Sequence, residues 1–186
     1  MAVFTLEEAS TIAKEVDSGS GKYINPSKIN GEVRLRMFGE GITGYETWVV
    51  DIKDDGTEQQ KPVRWEQKPS ELPSNVRKNE EGKAQLKRFC AAIVWDYEAE
   101  DFKVLSLTQK TLIKQLMGFI ADDKDWGDPA GYDLKISKKG EGLKTEYNMT
   151  PASKKAPTKE LKEAFDALAC DLSKLYDGAD PFEDQL

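Results

Sequence analysis

The stretch Glu32-Val33-Arg34-Leu35-Arg36-Met37-Phe38 sets Val33, Leu35 and Met37 on one side of an extended chain and Arg34, Arg36 and Phe38 on the other. A helix would scatter both sets around its circumference. The alternation predicts a half-buried β-strand with one core face and one basic, aromatic face. Beyond a glycine-marked turn over 39–44, residues 45–53 hold Trp48, Val49, Val50 and Ile52 and predict a second antiparallel strand. Asp54-Asp55-Gly56 signals a turn, after which residues 61–65 pair back. The polar, Pro-containing residues 66–83 read as a long loop.

Further along, residues 86–97 and 102–107 predict a hairpin about the acidic turn 98–101, with Ile93 and Val94 against Val104 and Leu105. Thr108 is a candidate N-cap for a helix running to Ala121, and Leu112, Ile113, Leu116, Met117 and Ile120 form one apolar stripe. Two more strands, 132–138 and 144–150, flank Gly140-Glu141-Gly142. The pattern is mainly β with flanking helices. Five to seven short strands with one helix inserted before the last hairpin fit a Greek-key barrel of the OB type, with the apolar stripe plugging it.

The expected organisation has four parts. Residues 1–20 form an amphipathic helix and a Gly/Ser linker, and 21–151 form the barrel. Residues 152–176 form a helix capped by Thr158 that shares Leu161, Phe165, Leu168 and Leu172 on one face, and 177–186 form a disordered acidic tail.

No run approaches the roughly 20 apolar residues of a membrane span, and the first residues have neither a basic start nor a long apolar run. A cytoplasmic protein is expected, in the host cell if phage-encoded. The chain has no histidine, and Cys90 and Cys170 lie far apart. A four-ligand Cys/His zinc site is therefore excluded, and the usual general base near neutral pH is missing. The expectation is a protein that is not an enzyme and uses no metal or cofactor. The net charge is −7, but residues 160–186 contain eight acidic residues against two lysines, so most of the acidity belongs to the end.

Cations interleaved with aromatics in strands mark the candidate nucleic-acid site: Arg34, Arg36, Phe38, Tyr45, Trp48, Lys61, Arg64, Trp65, Lys87 and Arg88. Aromatic faces stack on unpaired bases and cations neutralise phosphates, whereas duplex reading would need a groove-entering element that the pattern lacks. For each residue the alternative is ordinary core packing or solvated surface. Arg34 and Arg36 resist that alternative, because burial would demand two unpaired charges. Ser18-Gly19-Ser20-Gly21-Lys22 lacks the spacing of a phosphate loop, and Asp122, Asp123, Asp125 and Asp128 read as a solvated helix end rather than a calcium loop. A rival reading makes the same aromatics a protein-binding patch on an acidic adaptor or inhibitor of replication proteins.

Gly44-Tyr45-Glu46-Thr47-Trp48, then Ala92-Ile93-Val94-Trp95-Asp96-Tyr97 with Leu107-Thr108-Gln109-Lys110-Thr111, then Asp125-Trp126-Gly127-Asp128-Pro129 with Tyr132-Asp133-Leu134-Lys135, resemble the OB-fold single-stranded DNA-binding proteins of tailed bacteriophages. The likeness covers about residues 21–151. It implies sequence-nonspecific protection of exposed strands in DNA replication, recombination and repair, possible self-association on DNA, and recruitment of replication or recombination proteins by the acidic end. Asp180, Phe182, Glu183 and Asp184 would be the recruiting residues, although Gln185 and Leu186 follow where such tails usually stop. The charge asymmetry further suggests that removing everything beyond Ala156 raises DNA affinity.

Overall fold

The computed structural model describes residues 21–182, with strands β1 (Tyr23–Ile24), β2 (Gly31–Ile52), β3 (Glu58–Trp65), β4 (Lys87–Asp96), β5 (Asp101–Leu107), β6 (Tyr132–Lys139) and β7 (Glu146–Lys154). Helix α1 (Lys110–Ala121) lies between β5 and β6, and α2 (Lys159–Asp166) follows β7. The sheet is mixed and runs β1-β5-β4-β2-β6-β7, with β3 also on β2; only the β1/β5 pairing is parallel. Among the described residues, no helix is long and apolar enough to cross a membrane. The expected helix within residues 1–20 lies outside the described residues.

The glycines that read as a turn over 39–44 do not break the chain. Instead β2 continues for 22 residues, with a register shift against β4 between Phe38 and Ile42. Gly39 supplies the positive φ of 65° where Phe165 also presses close. A Cβ on Gly41 would lie 2.9 Å from the Ala91 carbonyl oxygen, so the small residue lets β2 bend while staying paired. Bending in place of turning leaves β2 long enough to pair with β6 and β4 at its start and with β4 and β3 at its end.

Strand alternation gives this sheet two apolar faces, each with its own cover. On one, Leu35, Met37, Val94, Leu105, Leu134 and Ile136 pack with Leu112 and Leu116 of α1. Only part of the predicted stripe plugs this core, because Met117 and Ile120 stay exposed on the helix. Thr108 does not cap α1 either; the N-cap is Gln109, whose side chain makes no capping hydrogen bond to the first turn. On the other face, Phe38, Phe89, Ala91, Ile93 and Phe102 are covered by the C-terminal segment through Phe165, Leu172, Leu175 and Phe182.

That cover corrects the expectation for the chain's end. Thr158 does cap α2, accepting a hydrogen bond from the Leu161 N–H, but the helix stops at Asp166 and Leu172 begins a separate 3-10 turn, Leu172–Asp177. Pro181 and Phe182 are buried, and Lys22 Nζ sits 5.2 Å from the centre of the Phe182 ring. Residues 177–182 thus end a docked strap that begins with α2, while Glu183 and Asp184 lie outside the described residues. Ending the chain at Ala156 would strip the second core. Removal of several buried aromatic and leucine contacts is expected to cost more than about 3 kcal/mol, seen as a lowered thermal midpoint. An unchanged midpoint would mean the strap contributes little.

Candidate nucleic-acid interface

Past Gly44, β2 and β3 run on as a two-stranded ribbon. Directly opposed residues of antiparallel strands share a face, and Tyr45 opposes both Trp65 of β3 and Arg88 of β4. Trp65, Tyr45 and Arg88 therefore stand in one row across three strands. Within it the Arg88 guanidinium lies 4.5 Å from the Tyr45 ring centre, a cation–π distance. Tyr45 and Trp65 are half-buried and Arg88 is exposed. The row depends on Gly44, where a Cβ would meet the Trp65 carbonyl oxygen at 2.1 Å and the Phe89 ring at 2.9 Å. Gly44→Ala is expected to push β3 off β2 and weaken the ribbon; a crosslinking rate between cysteines placed on β2 and β3 that matches the wild type would refute this.

The next row, Arg64–Glu46–Lys87, faces the other way. Glu46 is buried and holds Arg64 Nε at 2.8 Å, and it also accepts from Trp48 Nε1 at 3.2 Å. Trp48 is 38% exposed. Its carbonyl accepts from the Arg77 N–H at 2.7 Å, and the Thr47 hydroxyl donates to the Gln85 carbonyl at 2.7 Å. These bonds lay the predicted long loop against the ribbon. Between them opens a cleft of about 420 Å³ bordered by Trp48, Arg77, Lys78, Gln85 and Lys87, with the carboxylates of Glu46 and Glu80 also at its wall. Among the described residues, Arg77, Lys78, Lys87 and Arg88 make no ion pair. Their charges are free for an anionic ligand.

Of the ten predicted residues, the fold gathers Tyr45, Trp65 and Arg88 on one face of the ribbon and Trp48, Arg64 and Lys87 on the other. Lys61 is on the ribbon too, but pairs with Asp51 at 2.5 Å. Arg64 is mostly buried and committed to Glu46. Arg36 and Phe38 need correction as contact residues. Phe38 belongs to the second core, edge-on to Phe102 at 5.4 Å and close to Phe165 at 5.1 Å.

Arg36 has 0% exposure, and the charge penalty expected to keep it out is met by Asp133. Asp133 Oδ1 accepts from Arg36 Nε at 2.6 Å and from the Tyr97 hydroxyl at 2.9 Å, while Oδ2 takes Arg34 Nη2 at 2.5 Å. Arg36 Nη1 donates to the carbonyls of Ala130 (3.2 Å) and Lys155 (2.7 Å). Burial alone would raise the Asp133 pKa, but hydrogen bonds from Arg34, Arg36 and Tyr97, with the Arg36 charge, bring it below the ordinary carboxylate value. Asp133 was missed, although an acid between Tyr132 and Leu134 in a strand opposite Arg36 is a readable signal. Arg77 and Lys78 were missed because nothing local places a loop against a distant strand.

Comparison with protein-family models, curated proteins and solved structures found no match. The ribbon's chemistry therefore stands on its own residues.

Proposed function

We propose that this chain binds single-stranded DNA without sequence preference and does so on the ribbon. The observation that carries the reading is the row Trp65–Tyr45–Arg88, two aromatic rings and a free guanidinium in register on a fixed backbone. Bases stack on such rings at roughly 1–3 kcal/mol each, whatever their identity, and adjacent cations take the phosphates. A duplex hides its base faces, so the row discriminates against it. In this reading the strand wraps the ribbon: Tyr45 and Trp65 stack bases on one face beside Arg88, and Trp48 stacks on the opposite face beside Lys87, Arg77 and Lys78, the four cations neutralising phosphates.

The strand connectivity supports the OB-type reading, in a sheet that stays open between β1 and β7. Strands β2, β4, β5, β6 and β7 supply five strands, with α1 between the third and fourth and with β2 pairing both β4 and β6. In such barrels, the loop between the first two strands commonly meets the oligonucleotide, and here that connection contains β3 and residues 66–86. A phage replication setting and recruitment of partner proteins belong to the same proposal. Recruitment through Phe182 would require the ring to leave its buried seat, whereas Asp180 is exposed already.

Binding of labelled oligo-dT and of a duplex of equal length, followed by anisotropy between about 50 and 200 mM salt, tests the proposal. Four phosphate contacts give an expected log–log salt slope of about −3 for the single strand, with the duplex much weaker. Equal affinity for both forms, or an absence of salt dependence, would favour a protein-binding patch instead.

A further inference from the structure

The far end of β4 carries a second cation–aromatic group that the ribbon does not include. Arg34 is opposed by Lys135 of β6, and the Tyr97 N–H donates to the Arg34 carbonyl at 3.3 Å, so Tyr97, Arg34 and Lys135 form a row of their own. The Arg34 guanidinium lies 5.4 Å from the Tyr97 ring centre. Its Nε and Nη2 are both spent on one oxygen of Asp133, and Nη1 has no hydrogen-bond partner among the described residues. The side chain of Arg34 is 44% exposed, and that of Lys135 is 42% exposed, 3.7 Å from Glu32.

Within the Arg34–Arg36–Asp133 cluster the charges do not cancel, although Glu98 and Glu100 stand exposed on the adjoining turn. One carboxylate, Asp133, answers two guanidinium groups, and Arg36 Nη2 is buried without any partner. Tyr97 adds no negative charge, since burial and its hydrogen bond to Asp133 raise its pKa above the usual value. Lys135 and Glu32 offset each other. Of the two guanidinium groups only Arg34 reaches solvent, where its unpartnered Nη1 can meet a phosphate oxygen while the Asp133 bonds and the Tyr97 ring hold the group in place.

We propose that the Tyr97–Arg34–Lys135 row is a second phosphate subsite for a strand already held on the ribbon. The inference rests on the ribbon reading and adds its extent. Strand β4 separates Lys87 from Asp96 by nine residues, about 30 Å at the usual rise per residue; Arg34 and Tyr97 share the strap-covered face of the sheet with Lys87 and Trp48, whereas the row Trp65–Tyr45–Arg88 is on the opposite face, so a strand reaches the second row from the Trp48–Lys87 side of the ribbon. The strap covers the apolar middle. A short oligonucleotide therefore reaches one row only, while a longer one engages both.

Oligo-dT of about 4 and about 16 nucleotides, the span of site sizes seen for single barrels, separates the possibilities. Arg34→Ala is expected to weaken binding of the long oligonucleotide about tenfold, lower its salt slope by about 1, and leave the short one within about twofold. Arg34→Lys should keep the slope. Arg88→Ala should weaken both lengths. Lys135→Ala, at an exposed site, repeats the length test if Arg34→Ala lowers the thermal midpoint. Equal effects of Arg34→Ala and Lys135→Ala at both lengths, or no effect at either, would overturn the second subsite while leaving the ribbon intact. Failure of the wild-type chain to bind either length would overturn the ribbon reading itself.

Discussion

Asp133→Asn is expected to lower the unfolding free energy by about 3–5 kcal/mol, because it leaves the fully buried Arg36 charge without a counter-ion. Few other single changes should cost as much. The same pair predicts the acid behaviour. Asp133 has a depressed folded pKa, so its contribution is fully present above the unfolded value of about 3.9 and is lost as pH falls through the lower folded value. Denaturant unfolding from pH 6 down to pH 2 should show stability falling steeply for the wild type below about pH 4 and less steeply for Asp133→Asn. Adding Arg36→Met to Asp133→Asn removes the stranded charge and is expected to restore more than half of the loss. A variant as stable as the wild type would mean that Arg36 finds another anion or reaches water.

Tyr45→Ala and Trp65→Ala are each expected to weaken binding of oligo-dT by roughly 1–3 kcal/mol, about 5- to 150-fold, with little change in thermal midpoint. The two residues oppose each other directly, so the double variant should lose less than the sum. Lys61→Ala, by contrast, removes a cation already facing Asp51 and should alter affinity by less than about threefold. Phe38→Ala belongs to a different class, since Phe38 is buried against Phe102 and Phe165. Its effect should appear in stability. If Phe38→Ala abolished binding in a folded protein while Tyr45→Ala did nothing, the interface would lie under the strap.

Local patterning made the strands legible. Alternation in residues 32–38 correctly sorts Leu35 and Met37 from Arg36 and Phe38, and the β4/β5 hairpin falls where Ile93 opposes Val104. What alternation does not reveal is what covers the second face. Arg36 and Phe38 share it, yet one end is sealed by Asp133 with the Lys155 and Ala130 carbonyls and the middle by Phe165. Those partners lie about a hundred residues away in sequence. A cation on the non-core face thus reads as solvent-exposed until a distant carboxylate meets it. The glycines failed for a related reason: Gly41 and Gly44 signal close approach of Ala91 and Trp65 rather than a turn, and approach depends on the partner strand. The acidic end misled because its composition suits disorder while its one aromatic, Phe182, joins Leu172 and Leu175 of the preceding segment in the second core.

Tryptophan emission during titration with poly-dT, for the wild type and for Trp65→Phe, examines the ribbon most directly. Trp126 packs against Tyr132 and Trp95 against Phe102, so quenching should come chiefly from Trp65 and Trp48. The expected result is quenching by poly-dT that weakens with added salt, is small with duplex, and is substantially reduced in Trp65→Phe. Binding with emission unchanged, or quenching identical in Trp65→Phe, would contradict stacking on the row Trp65–Tyr45–Arg88.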